Sequence, residues 1–295
     1  MIYTGCHLSI TDGYEAMGRK IQSMGGDTFA WFTRNPRGGR TKPIAREDAY
    51  SLAEYCKKEH FGPPVAHGSY TMNLCSANED TRKNGFDMLA KDMEIMKLFP
   101  GCFYNFHPGS HTGQGTEAGI VQISDALNRL TGQDFKTVIL LETMAGKGSE
   151  IGGSFEELRE IIDRVDFNDH IGVCFDTCHT WDAGYDIVND LDGVLQNFDD
   201  VIGISRLKAV HFNDSRNERG SHKDRHEKLG HGFLGAEAMK RIALHPALQG
   251  LPFILETPNE DEGYIEEIKL VRSWFENGEI SEIKGKDRPL RRGIE

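Results

Sequence analysis

Eight short apolar runs of strand length recur along the chain, at Ile2–Cys6, Thr28–Phe32, Pro64–Ala66, Cys102–Phe106, Thr137–Leu141, Ile171–Phe175, Leu207–Phe212 and Pro252–Leu255. They are near-continuous in apolar residues, the pattern of strands covered on both faces in a parallel sheet. Between them lie stretches of helical periodicity, such as Leu89, Met93 and Met96, or Phe155, Leu158, Ile162 and Val165, or Tyr264, Ile268, Val271 and Phe275. Ser154 with Glu157 has the spacing of a capping box at one helix start. Eight strand–helix units of roughly 37 residues fill the 295-residue chain and predict an α/β fold, a (β/α)8 TIM barrel. No Pro/Ser-rich linker or shift of composition divides the chain, so residues 1–295 read as a single domain. From about Asn277 the sequence is polar, ends basic and reads as a flexible tail.

Composition narrows the class. Hydrophobic residues at 38% and charged residues at 27% describe a soluble globular chain. The opening MIYTGCHLSI lacks a basic segment followed by an apolar one, and no run approaches a bilayer span, so a cytoplasmic protein is expected, with no membrane partner. The six cysteines lie apart without CxxC spacing, which points to neither a disulfide framework nor a thiolate zinc site. A net charge of −12 argues against coating nucleic acid by bulk charge but leaves room for a local basic surface.

The residues closing the strands carry the chemistry. His67 follows PPVA, His107 follows CFYNF, Glu142 follows TVILL, Asp176 follows IGVCF, His211 lies in KAVHF and Glu256 follows PFIL. In a barrel these C-terminal strand ends converge on one face, where active sites of this fold lie. His179, in Asp176-x-x-His179, and the local pair Asp224 and His226 add three more candidates in the following loops. Five histidines and four carboxylates exceed what one four-coordinate ion uses, so a cluster of two or three ions is expected. Imidazole with carboxylate favours zinc, or manganese, over magnesium or calcium. Clustered divalent ions polarise a phosphoryl oxygen, generate hydroxide at neutral pH and stabilise a leaving alkoxide, the chemistry of phosphoester hydrolysis.

Two loops suit a polyanion. Thr33–Ile44 carries Arg34, Arg37, Arg40 and Lys42 with no acidic residue. Asn213–Gly235 carries Arg216, Arg219, Lys223, Arg225 and Lys228. Both would lie on the face of the ligands and surround a metal cluster with positive charge.

The segments GCHLS, FTRNPR, HGSYTMNL, NFHPGSH, LLETMAGKGSEIG, GVCFDTCHTWDAGYD, VHFNDS, KDRHEKLGHGFLG and FILETP together resemble the endonuclease IV group of metal-dependent apurinic/apyrimidinic endonucleases, nearly end to end. The resemblance implies three zinc ions, with manganese able to take one or more positions, and no organic cofactor. It implies a DNA repair enzyme that hydrolyses the phosphodiester 5′ to abasic sites in duplex DNA, leaving a 3′-hydroxyl and a 5′-deoxyribose phosphate, and that removes 3′-blocking groups. By matching motif positions, His67, His107 and Glu142 would hold one ion, with Glu142 bridging to a second held also by Asp176, His211 and Glu256. The third would use His179, Asp224 and His226. Glu256, and Glu142 as the bridge, are the implied catalytic carboxylates, and Arg37 and Tyr70 the implied contacts in the minor groove. Arg37 is followed here by Gly38 and Gly39, where the best-known members carry a Gln-Trp pair. A monomer is expected.

Blander readings stand beside these. A single strand-end His or Glu is more often a hydrogen-bonded structural residue, and it is nine in register with the strands that point to metal. His7 also ends a strand and is read as buried and hydrogen-bonded, and His231 is left out of the ligand set. The glycines of HPGSH and TMAGKGSEIGG fit no nucleotide fingerprint and read as tight turns. The main rival is a metal-dependent sugar or sugar-phosphate isomerase or epimerase on the same barrel. Glu142, Asp176, His211 and Glu256 would suffice for it, whereas the second ligand set and the basic loops would have no evident use. A non-catalytic binder of damaged DNA, with metals that only hold the fold, is the rival from another class.

Overall fold

A computed structural model describes residues 1–37, 44–130 and 136–276. Arg40, Lys42, Gly38, Gly39 and the tail from Asn277 lie outside the described residues.

The eight apolar runs all form strands, because each can bury both faces: β1 Tyr3–Leu8, β2 Ala30–Phe32, β3 Val65–His67, β4 Phe103–Phe106, β5 Ile139–Glu142, β6 Ile171–Asp176, β7 Leu207–His211 and, after a short hairpin of β8 Asp214–Ser215 with β9 His226–Glu227, β10 Pro252–Leu255. The barrel strands are parallel and close in the order β1-β10-β7-β6-β5-β4-β3-β2. Closure runs through β1, which pairs Tyr3 with Pro252 on one side and His7 with Ala30 on the other. Gly5 permits this contact, since a Cβ there would stand 1.7 Å from the Thr28 carbonyl oxygen.

Nine helices occur among the described residues: α1 Tyr14–Ser23, α2 Arg46–Lys58, α3 Glu79–Met96, α4 Thr116–Asn128, α5 Phe155–Asp163, α6 Thr177–Ala183, α7 Leu191–Val201, α8 Gly235–Leu244 and α9 Asp261–Glu276. The capping box at α5 forms in altered shape. Ser154 Oγ accepts from Glu157 N–H at 3.3 Å, while Glu157 Oε2 accepts from the Gly152 and Gly153 amides. Among the described residues no helix is long and apolar enough to cross a membrane.

Alternation along the strands divides the core in two. Outward residues such as Trp31, Phe106, Val173 and Phe253 pack against the helices. Inward residues Ala30, Val65, Leu140, Cys174, Ala209 and Ile254 form a separate cluster that fills the barrel. All six cysteines are free, and Cys174 serves this inner layer.

Candidate metal centre

Side chains two residues apart on a strand share a face. His67 stands two beyond Val65, Glu142 beyond Leu140, Asp176 beyond Cys174, His211 beyond Ala209 and Glu256 beyond Ile254. The alternation that fills the barrel with an apolar layer therefore aims the next inward position of each strand into its mouth. His67, Glu142, Asp176, His179 and His211 are buried there, and His107, Asp224, His226 and Glu256 are half-buried.

All nine residues named from the sequence meet in one cluster. Glu142 is central: Oε2 lies 3.3 Å from His67 Nε2 and 3.4 Å from His107 Nε2, and Oε1 lies 3.1 Å from His211 Nδ1 and 3.3 Å from His179 Nδ1. His211 Nδ1 is also 3.1 Å from Glu256 Oε2. Asp224 Oδ1 is 3.1 Å from His179 Nε2 and 3.7 Å from His226 Nε2. Among the described residues four overlapping sets can each offer converging donor atoms to one ion: His67, His211 and Glu256; His67, His107 and Glu142; Glu142, Asp176, His211 and Glu256; and Asp176, His179 and His226. In the last, Asp176 joins the two histidines, and Asp224 stands beside them.

In three imidazoles a main-chain carbonyl takes Nδ1, which turns Nε2 toward the carboxylates of the cluster. Nδ1 lies 2.6 Å from Gly68 O in His67, 3.0 Å from Thr143 O in His179 and 3.2 Å from Glu256 O in His226. Donation of Nδ1–H to these carbonyls makes Nε2 the nitrogen that can bind an ion once it carries no proton. His226 Nε2 is buried and has no hydrogen-bond partner. An orphaned imidazole nitrogen facing carboxylates fits a cation between them.

Residues that sequence reasoning did not find hold the carboxylates. Asn105 Nδ2 donates to Glu142 Oε2 at 2.6 Å, and Asn213 Nδ2 donates to Asp176 Oδ2 at 2.8 Å while its Oδ1 accepts the Glu256 amide at 2.8 Å. Each stands two residues from a strand-end histidine, His107 or His211, and period-two spacing was the signal available. Asp176 Oδ1 accepts the His179 amide at 2.7 Å and so caps α6. His7 is half-buried and places Nε2 2.9 Å from Glu256 Oε1.

Burial and charge work against each other here. Burial alone would raise Glu142 and Glu256, but His211 and its neighbours hold both well below the ordinary carboxylate range. Burial likewise opposes charge on His179 and His211, yet Asp176 and Asp224 around the one, and Cys174, Glu256 and Glu142 around the other, raise both well above the usual imidazole value. Burial wins at His67, which is pushed down, and at Asp176, which is pushed up.

Around the mouth, Tyr70 is exposed and its ring lies 5.5 Å from His107 and 5.0 Å from Phe32. Its amide donates to Pro36 O at 3.1 Å, tying it to the turn that bears exposed Arg37. Arg34 corrects an expectation. It is buried against Asp92, which also accepts from Thr33 Oγ1 at 2.9 Å and Tyr104 Oη at 2.8 Å, and it is unavailable to a polyanion. In the second loop Arg216 pairs with Glu227 and Arg219 with Asp186, so that part of its basic charge is matched.

A family profile described as a xylose isomerase-like TIM barrel matches residues 19–274. The "Probable endonuclease 4" of Clostridium beijerinckii is 50% identical over 94% of this chain and 100% of its own length. The crystal structure of endonuclease IV from Thermus thermophilus superposes with a TM-score of 0.83 at 33% identity, covering 93% of this chain and 99% of that one. A D-tagatose 3-epimerase-like protein, at 18% identity, TM-score 0.68 and coverage of 93% and 97%, shares the fold alone. The chain belongs to the endonuclease IV family.

Proposed function

We propose that this protein is a DNA repair endonuclease that hydrolyses the phosphodiester 5′ to an abasic nucleotide in duplex DNA, leaving a 3′-hydroxyl and a 5′-deoxyribose phosphate. The observation that carries the reading is the convergence of nine ligand-type side chains at the barrel mouth, with three imidazoles locked by main-chain carbonyls so that Nε2 faces inward. Family membership adds the reaction class.

In this reading His67, His107 and Glu142 would hold one zinc ion, Glu142, Asp176, His211 and Glu256 a second, and His179, Asp224 and His226 a third. Bound there, divalent ions would supply Lewis-acid polarisation of the scissile phosphate and a nucleophile at neutral pH. Four carboxylates at the mouth can bring four negative charges, so two divalent cations would balance them and a third would add positive charge suited to a phosphodiester. Glu256, steadied by His7 at Oε1 and facing His211 at Oε2, accepts the proton of the attacking water. Arg37 and Tyr70 at the rim contact the strand beside the lesion. The abasic sugar enters the mouth cheaply, because no base stacking is lost. Removal of 3′-blocking groups follows from the same bond cleavage, and the work is done in the cytoplasm.

A duplex oligonucleotide with one tetrahydrofuran abasic analogue tests this, since the analogue lacks the aldehyde that β-elimination needs. A single cut on its 5′ side, with a 3′-hydroxyl on the new end and loss of cutting on chelation, is the predicted result. An intact strand with folded, metal-loaded protein overturns it and returns the isomerase reading to the front.

A further inference from the structure

Asp182 is fully buried and carries no part of the ligand set. It ends a run, Asp176-x-x-His179-x-x-Asp182, that places three side chains at successive i, i+3 steps along α6. Its carboxylate accepts from Ser215 Oγ at 2.7 Å, from the Asp224 amide at 2.8 Å and from Asn217 Nδ2 at 3.5 Å. The main chain beside it continues the clamp. The His222 amide donates to Asp182 O at 3.0 Å, the Gly220 amide to Trp181 O at 3.1 Å, and Trp181 Nε1 to Asn217 O at 2.9 Å. The segment so held is strained, with φ of 53° at His222 and 55° at Asp224, a left-handed conformation that side chains with a Cβ rarely adopt. In that conformation the Asp224 amide is held by Asp182, and Oδ1 lies 3.1 Å from His179 Nε2 on the same helix as Asp182.

We propose that Asp182 is a positioning residue for the third metal position: it holds Asp224 in the left-handed conformation that aims its carboxylate at His179 and His226. The inference rests on the metal reading above. It gives α6 three tasks in one turn and a half: Asp176 caps it and faces two ion positions, His179 faces the third, and Asp182 fixes the loop that closes that third position.

The test is ion count against free zinc. Wild-type protein and the variants Asp182→Ala, Asp182→Asn and Asp224→Ala are dialysed against chelator-buffered zinc over a range of free concentrations. Bound ions per chain are counted by atomic emission, with near-ultraviolet circular dichroism to verify the fold. Asp182→Ala is expected to weaken one ion of the set by about 10- to 100-fold and leave the others at wild-type affinity. Asp182→Asn keeps the shape and one accepting oxygen, and is expected to lose less at the same ion, about three- to tenfold. Wild-type affinity at every ion in folded Asp182→Ala overturns the proposal, as does wild-type affinity in Asp182→Asn should the alanine variant not fold. Equal weakening of all ions also overturns it, because a general loosening of the barrel mouth would do that. Asp224→Ala separates loss of the ligand from loss of its positioning. If it retains every ion at full affinity, the metal reading of Asp224 fails; if it loses one ion and Asp182→Ala loses none, only the positioning role fails.

Discussion

His7 Nε2 lies 2.9 Å from Glu256 Oε1, and the His7 ring stacks on Phe32 at a centroid distance of 4.6 Å. The first strand therefore supports the last, its neighbour across the barrel closure, and one Glu256 oxygen is held while the other faces His211. Glu256→Gln keeps the volume and removes the base. It is expected to fold normally and to lose about a hundredfold or more in kcat on the abasic duplex. Kinetics with metal content measured on the same preparation check this, and near-normal turnover removes Glu256 from the mechanism.

Zinc binding at neutral pH is expected to release protons. His179 and His211 are raised well above the usual imidazole value in the metal-free protein, so both carry protons that must leave before coordination. His67, pushed down by burial, is already neutral. The sign follows: affinity falls as pH drops, because protons compete at the raised histidines. Calorimetric titration in two buffers of different ionisation enthalpy measures the release, and identical heats in both would contradict it.

Asp92 accepts from Arg34, Thr33 and Tyr104 at the root of the basic loop, with Arg34 and Asp92 both buried. Asp92→Ala strands a buried guanidinium and is expected to cost about 3–5 kcal/mol of stability in urea unfolding. A loss below about 1 kcal/mol would show that the loop root relaxes and Arg34 reaches water.

Tyr70 presents an exposed ring beside His107, and exposed Arg37 follows Pro36, whose carbonyl accepts the Tyr70 amide. Tyr70→Ala is expected to weaken binding of the abasic duplex about tenfold with ion content unchanged. Arg37→Ala is expected to lower the slope of log affinity against log salt by about one. Fluorescence anisotropy across a salt series measures both, and unchanged binding in both variants would move the DNA contact elsewhere on the mouth.

The barrel was legible because each strand is an apolar run covered on both faces, and the ligand positions because they continue the inward register of those runs. Val65 and His67, or Leu140 and Glu142, are one pattern. What stayed hidden depends on contacts remote in sequence. Arg34 looks solvated in a basic stretch, and only the fold brings Asp92 to it. The strands β8 and β9 are two residues each, too short for any periodicity. Asn105 and Asn213 carry no chemical signature until the carboxylates they hold are beside them. Asp182 reads as one more helix acid until the strained loop at Asp224 closes over it.

Anomalous diffraction at the zinc edge from crystals of the zinc-loaded protein locates the bound ions. Three peaks are expected at the barrel mouth, one against each proposed ligand set, with Glu142 shared between the first two and nitrogen and oxygen donors at about 2.0–2.2 Å. No peak there, or a single ion confined to Glu142, Asp176, His211 and Glu256, would contradict the three-ion reading.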